Sequence, residues 1–176
     1  MAMDREWISN IDWSKVTDKH TEYALSDANK WLESGVDADK DMSKKSFVIA
    51  AAIIGYISAL IPFVLISHDS LLTIPATILS AGFFIALLFL GCASQTAPFY
   101  CLGNEPKNTL YPPTMGEDYN TFLHGEIASL QERIEHNIKA STKKGKYINL
   151  AILTILLSMV ASFVIYFLLR LGIFVA

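Results

Sequence analysis

The chain predicts an all-α integral membrane protein with three transmembrane helices and amphipathic cytoplasmic helices, assembled as an oligomer. Three observations predict it. First, the apolar runs from Ser46 to about Ile66, Leu71 to about Ala93 and about Tyr147 to Leu169 contain no Asp, Glu, Lys or Arg. Each is long enough to cross roughly 30 Å of hydrocarbon at 1.5 Å per residue. Leu, Ile, Phe and Val each favour insertion by about 0.3 to 0.6 kcal/mol at mid-membrane, whereas a charged residue costs about 3, so uncharged runs insert unaided. Second, Lys and Arg cluster on one side of these runs. Third, an apolar stripe at helical spacing precedes the last run and needs a partner.

These runs hold about 65 of the 176 residues, and the rest is too divided for an ordinary catalytic domain. The expected organisation is a cytoplasmic N-terminal helical segment (1–45), a transmembrane hairpin (46–93), a cytoplasmic loop and amphipathic helix (94–146), and a third transmembrane helix with a short tail (147–176). The first 45 residues lack the h-region and cleavage site of a secretory signal, so the first span is expected to act as its own insertion signal. Trp7, Ile8, Ile11 and Trp13 lie among charges there, a composition suited to the membrane interface or to docking on a neighbouring protomer. From about Thr17, Tyr23, Ala24, Ala28, Trp31, Leu32 and Val36 recur at helical spacing, with Gly35 as a point of bending or breakage.

Orientation follows from the position of Lys and Arg. The turn Ser67-His68-Asp69-Ser70 has neither, whereas Lys40, Lys44 and Lys45 precede the first span and Arg133, Lys139, Lys143, Lys144 and Lys146 precede the third. The N-terminus and segment 94–146 are therefore expected in the cytoplasm, and the turn and C-terminus outside. Arg170 is the lone exception, at a helix end from which it can snorkel. His68 and Asp69 read as a solvated hairpin tip.

Pro98, Gly103, Pro106, Pro112, Pro113 and Gly116 make the next stretch a loop. Tyr119, Leu123, Ile127, Leu130, Ile134 and Ile138 then form an apolar stripe, whose Leu123 to Ile138 portion is the candidate oligomerisation surface, with the N-terminal helix as the other available partner. Gly145 offers a bend before the membrane.

Thr154, Ser158, Ser162 and Tyr166 share one face of the third span. Small hydroxyl residues allow close helix packing, and a pore wall is the alternative. Ala51, Gly55, Ser58, Ala59 and Pro62 in the first span, and Thr73, Thr77, Ser80 and Ala81 in the second, form comparable small faces for which packing is expected. Spans without ionisable groups argue against a coupled transporter. Cys92, Cys101, His20, His124 and His136 lack the spacing of a metal or nucleophile site, so no catalytic residue, metal or cofactor is expected. The Lys143-Lys144-Gly145-Lys146 run reads as a topology determinant and headgroup contact.

Ala28-Asn29-Lys30-Trp31-Leu32, then Asp37-Ala38-Asp39-Lys40, and later Tyr119, Gln131 and Lys143 to Tyr147 give the chain a layout that resembles the Pycsar-effector-like family of bacterial antiphage systems. Retron-associated membrane effectors are similar in build. The resemblance implies a bacterial inner-membrane effector of abortive infection that oligomerises and disrupts the bilayer when a cyclic nucleotide or partner protein triggers it from the cytoplasm. Its partners would be the lipid bilayer and copies of itself, with nucleic acid involved only indirectly. A toxin-immunity or membrane-anchoring adaptor protein and a holin-like channel are the alternative classes, and an enzyme is the least expected.

Overall fold

The computed structural model describes residues 10–67, 69–95, 99–101, 103 and 118–172. Trp7, Ile8, His68, Pro98, Pro106, Pro112, Pro113 and Gly116 lie outside them, and with them most of the expected proline-rich loop. The described residues are helical, without a strand: a 3-10 turn at Trp13–Lys15, then α1 (Asp18–Ile66), α2 (Ser70–Ser94) and α3 (Tyr119–Arg170). All three helices are long and apolar enough to cross a membrane.

Gly35 is expected as a point of bending or breakage and Gly145 as a bend; no break occurs at either. α1 runs through Gly35 and α3 through Gly145 without interruption. One glycine in a helix interior costs only about 0.5–1 kcal/mol relative to Ala, and the helix-forming residues on either side outweigh it. Pro62 in α1 and Pro75 in α2 are also accommodated, each removing one backbone donor. Asp69, expected as part of a solvated tip, is the N-cap of α2: its carboxylate accepts the Leu71 N–H at 3.0 Å, satisfying one orphan donor of the first turn.

The chain divides into two compact units. The first comprises residues 1–40 and 97–141, the second residues 41–96 and 142–176. In the first, Thr21 and Leu32 of α1 and Leu123, Leu130, Asn137 and Ala140 of α3 are buried. Gly35 lies against Asn137, since a Cβ built on it would come within 4.0 Å of the Asn137 side chain. Trp13, expected at a membrane interface or neighbouring protomer, instead stacks on His124 with ring centroids 3.6 Å apart.

The second unit is built around Ile53 of α1, Phe83, Ala86, Leu90 and Ala93 of α2, and Ile148 and Ala151 of α3. The small residues Ala86, Ala93 and Ala151 are fully covered, which lets helix backbones approach closely. α2 is the most enclosed helix: its most apolar stretch is 28% buried, against 6% for those of α1 and α3.

Six of the eight buried positions of α3 recur at seven residues within each unit, Leu123, Leu130 and Asn137 in the first and Lys144, Ala151 and Ser158 in the second; Ala140 and Ile148 are the other two. Ala76, Phe83 and Leu90 of α2 repeat it. This is the period of knobs-into-holes packing.

Candidate functional site

Asn137 organises the first unit. Its side chain is 3% exposed; Oδ1 accepts the Tyr100 N–H at 2.9 Å and Nδ2 donates to the Tyr100 carbonyl at 3.0 Å. One amide thus satisfies both backbone groups of a loop residue that has no strand or helix to do so. One turn earlier, Arg133 Nη1 donates to the Gly103 carbonyl at 2.9 Å, and the Tyr100 ring meets His136 edge-on at 4.8 Å. Tyr100, Ser129, Glu132, Arg133 and His136 line a cleft of about 230 Å³. This end of the loop is therefore held to α3, with a guanidinium, an imidazole and a carboxylate side by side.

Two members of the tetrad in the third apolar segment, Ser158 and Ser162, pack against α2. Ser158 is buried and seats against Gly82, where a Cβ would collide with the Ser158 side chain. The Ser162 hydroxyl donates to the Pro75 carbonyl at 2.9 Å. Thr154 turns its hydroxyl back to the Leu150 carbonyl, and Tyr166 is half-buried. Ser158 and Ser162 thus belong to an intrachain seam.

The other two small faces are not seams. In α2, Thr77 and Ala81 are exposed, and Thr73, Thr77 and Ser80 bond carbonyls one turn back in their own helix. The contacting face is instead Pro75, Ala76, Gly82, Phe83, Ala86, Leu90 and Ala93. In α1, Ala51, Gly55, Ser58, Ala59 and Pro62 are all exposed, and a Cβ on Gly55 would meet nothing within 4 Å. Ile53, not this small face, turns inward.

The amphipathic stripe of α3 divides. Leu123 and Leu130 are buried, Ile127 and Ile134 half-buried. Tyr119 is 70% and Ile138 51% exposed, and the inward position expected for Ile138 belongs to Asn137. In the N-terminal helix the same shift appears: Tyr23 and Trp31 point outward, and Thr21 takes an inward place. Most of the candidate oligomerisation stripe is spent on packing inside its own unit.

In the second unit, Lys144 is 6% exposed and its ammonium donates to the Ser43 hydroxyl at 2.6 Å. With Ser46 and Ser94 they frame the polar end of a groove of about 410 Å³ whose walls are Phe47, Ala50, Leu87, Leu90 and Gly91. Lys40, from the Asp37-Ala38-Asp39-Lys40 motif, pairs with Asp37 at 3.0 Å; that hydrogen bond holds the Lys40 ammonium above its ordinary pKa. Both cysteines are free and exposed, and the described residues hold no group of three His, Cys, Asp or Glu able to bind a metal. Comparison with protein-family models, curated proteins and solved structures found no match.

Proposed function

We propose that this chain is a multi-pass protein of the bacterial inner membrane that self-associates and breaches the bilayer, halting a phage-infected cell when a nucleotide signal or partner protein acts on its cytoplasmic unit. In this reading the N-terminus and segment 94–146 are cytoplasmic and the C-terminus lies outside. The carrying observation is the uncovered small face of α1. Ala51, Gly55 and Ala59 recur at intervals of four and are exposed, the small-xxx-small arrangement through which membrane helices pair. Ser158 and Ser162 of the comparable α3 face already pack on α2, whereas the small face of α1 is open to a second copy. One protomer with uncharged spans encloses no water path; several copies are needed.

Gly55→Leu tests the proposal, because the new side chain enters open space and leaves the protomer intact. The variant should insert normally but lose cross-linked oligomers and the depolarisation, read with a membrane-potential dye, that the parent causes in triggered cells. A G55L variant that oligomerises and depolarises like the parent would remove α1 from the mechanism. A parent that leaves the potential unchanged under infection would instead favour the adaptor class.

A further inference from the structure

We infer that the groove ending at Lys144 is a binding site for one anionic phospholipid, whose phosphate meets the Lys144 ammonium and whose acyl chain lies along Phe47, Ala50, Leu87 and Leu90. The inference rests on the membrane reading above, but not on self-association or bilayer damage.

Three features of the groove converge. Its volume of about 410 Å³ lies within the roughly 300–1,000 Å³ typical of small-molecule pockets. Its chemistry is divided as a lipid's is: hydroxyls of Ser43, Ser46 and Ser94 and the Lys144 ammonium at one end, aliphatic and aromatic walls along the rest. The Ser43 and Ser46 hydroxyls and the ammonium are donors suited to phosphate oxygens, while the Ser94 hydroxyl donates to the Gly91 carbonyl at 2.7 Å. Finally, the polar end lies where the uncharged runs of α1 and α3 begin, at the level where headgroups would sit. In the flanking sequence Lys45, Lys143 and Lys146 stand beside Lys44, which pairs with Asp41 at 3.9 Å, so the charge favours an anionic over a zwitterionic headgroup.

Lys144 also lines the groove beside the last turn of α2, where a cation is favoured by the helix dipole. That role and lipid binding differ in what they predict. A cation serving only α2 would affect stability whatever the lipid; a lipid ligand would affect the preference for anionic bilayers.

The test uses the full chain, purified in detergent and titrated with phosphatidylglycerol or phosphatidylcholine in mixed micelles, together with flotation on vesicles of each. Lys144→Met keeps the aliphatic stem and removes the charge. Gly91→Leu adds bulk to the groove and keeps the Lys144 charge, with room for its Cβ, which meets nothing within 4 Å. Lys146→Gln removes an exposed charge outside the groove. The parent should prefer phosphatidylglycerol. K144M should reduce that preference about fivefold, the equivalent of the about 1 kcal/mol that one lysine contributes at an anionic surface. G91L should weaken binding of the lipid, and K146Q should change the preference less than K144M. Inorganic phosphate should not compete, because it lacks the acyl chain. Equal effects of K144M and K146Q, or a K144M variant that loses thermal stability with its lipid preference unchanged, would overturn the site. Competition by inorganic phosphate would overturn the lipid assignment. Failure of the parent to float with either vesicle would mean that the membrane reading itself is wrong.

Discussion

The contact between α2 and α3 is sharpest at Gly82, and a single methyl group there tests it. A Cβ built on Gly82 would fall within bonding-like range of the Ser158 Cβ and Oγ and 3.6 Å from its Cα, where non-bonded carbons prefer about 3.5–4.0 Å. Rotation of χ1 can move the hydroxyl but not the Cβ, so the helices themselves must separate by roughly an ångström or more. Overpacking of this kind costs about 1–3 kcal/mol, partly offset by the roughly 0.5–1 kcal/mol that Ala gains over Gly in a helix. Gly82→Ala should therefore lower stability by up to about 2 kcal/mol, measured by denaturation in mixed micelles. Adding Ser158→Gly removes the obstructing Cβ, exchanges the two residues' helix preferences and should return the double variant close to the parent. The cycle then gives a coupling energy of about 1–3 kcal/mol. Additive effects of the two substitutions would show that α2 and α3 do not meet at this position.

Two further outcomes follow from the first unit. Asn137→Ala leaves the Tyr100 N–H and carbonyl without the side chain that satisfies them and should cost about 1–3 kcal/mol; hydrogen exchange should show the Tyr100 amide opening far more readily, and an unchanged exchange rate would contradict the clamp. Asp12 accepts hydrogen bonds from Lys15 and Ser14, which hold its carboxyl below its ordinary pKa, the Lys15 bond contributing most. Because the folded pKa is depressed, the stabilisation is fully present above the unfolded value of about 3.9 and is lost as pH falls through the folded one. Lys15→Met should move the Asp12 titration, followed by NMR, back up toward that value, and an unmoved titration would refute the pairing.

What was legible beforehand differs between the units for a physical reason. Where one side of a helix meets water, apolar periodicity reveals the inward face, and Leu123, Ile127, Leu130 and Ile134 were readable in this way. In the three long apolar segments no face carries charge, so composition locates the segments without giving their rotation. The small residues mark close approach but not its partner. Ser158 and Ser162 meet α2 of their own chain, whereas Ala51, Gly55 and Ala59, of the same chemical kind, are exposed among the described residues. Asn137 was passed over because an apolar search selects Ile138 one residue later, although a single Asn among apolar seam residues is itself a common signature of register.

The rotation of the third span was nevertheless encoded outside it. A helix that does not break carries its phase forward, and a seven-residue count from the readable pair Leu123 and Leu130 passes through Asn137 to Lys144, Ala151 and Ser158. All of these are buried. Glycine weakens a helix by about 1 kcal/mol, too little to end one with strong formers on both sides. Lys144 belongs to this count as much as Ser158 does, and that separates it from its neighbours in the basic run. Lys143 and Lys146 point outward as topology determinants would, while Lys144 occupies a seam position that an aliphatic residue would fill at lower desolvation cost. Its ammonium donates to the Ser43 hydroxyl at 2.6 Å, at the polar end of the groove proposed above for an anionic headgroup.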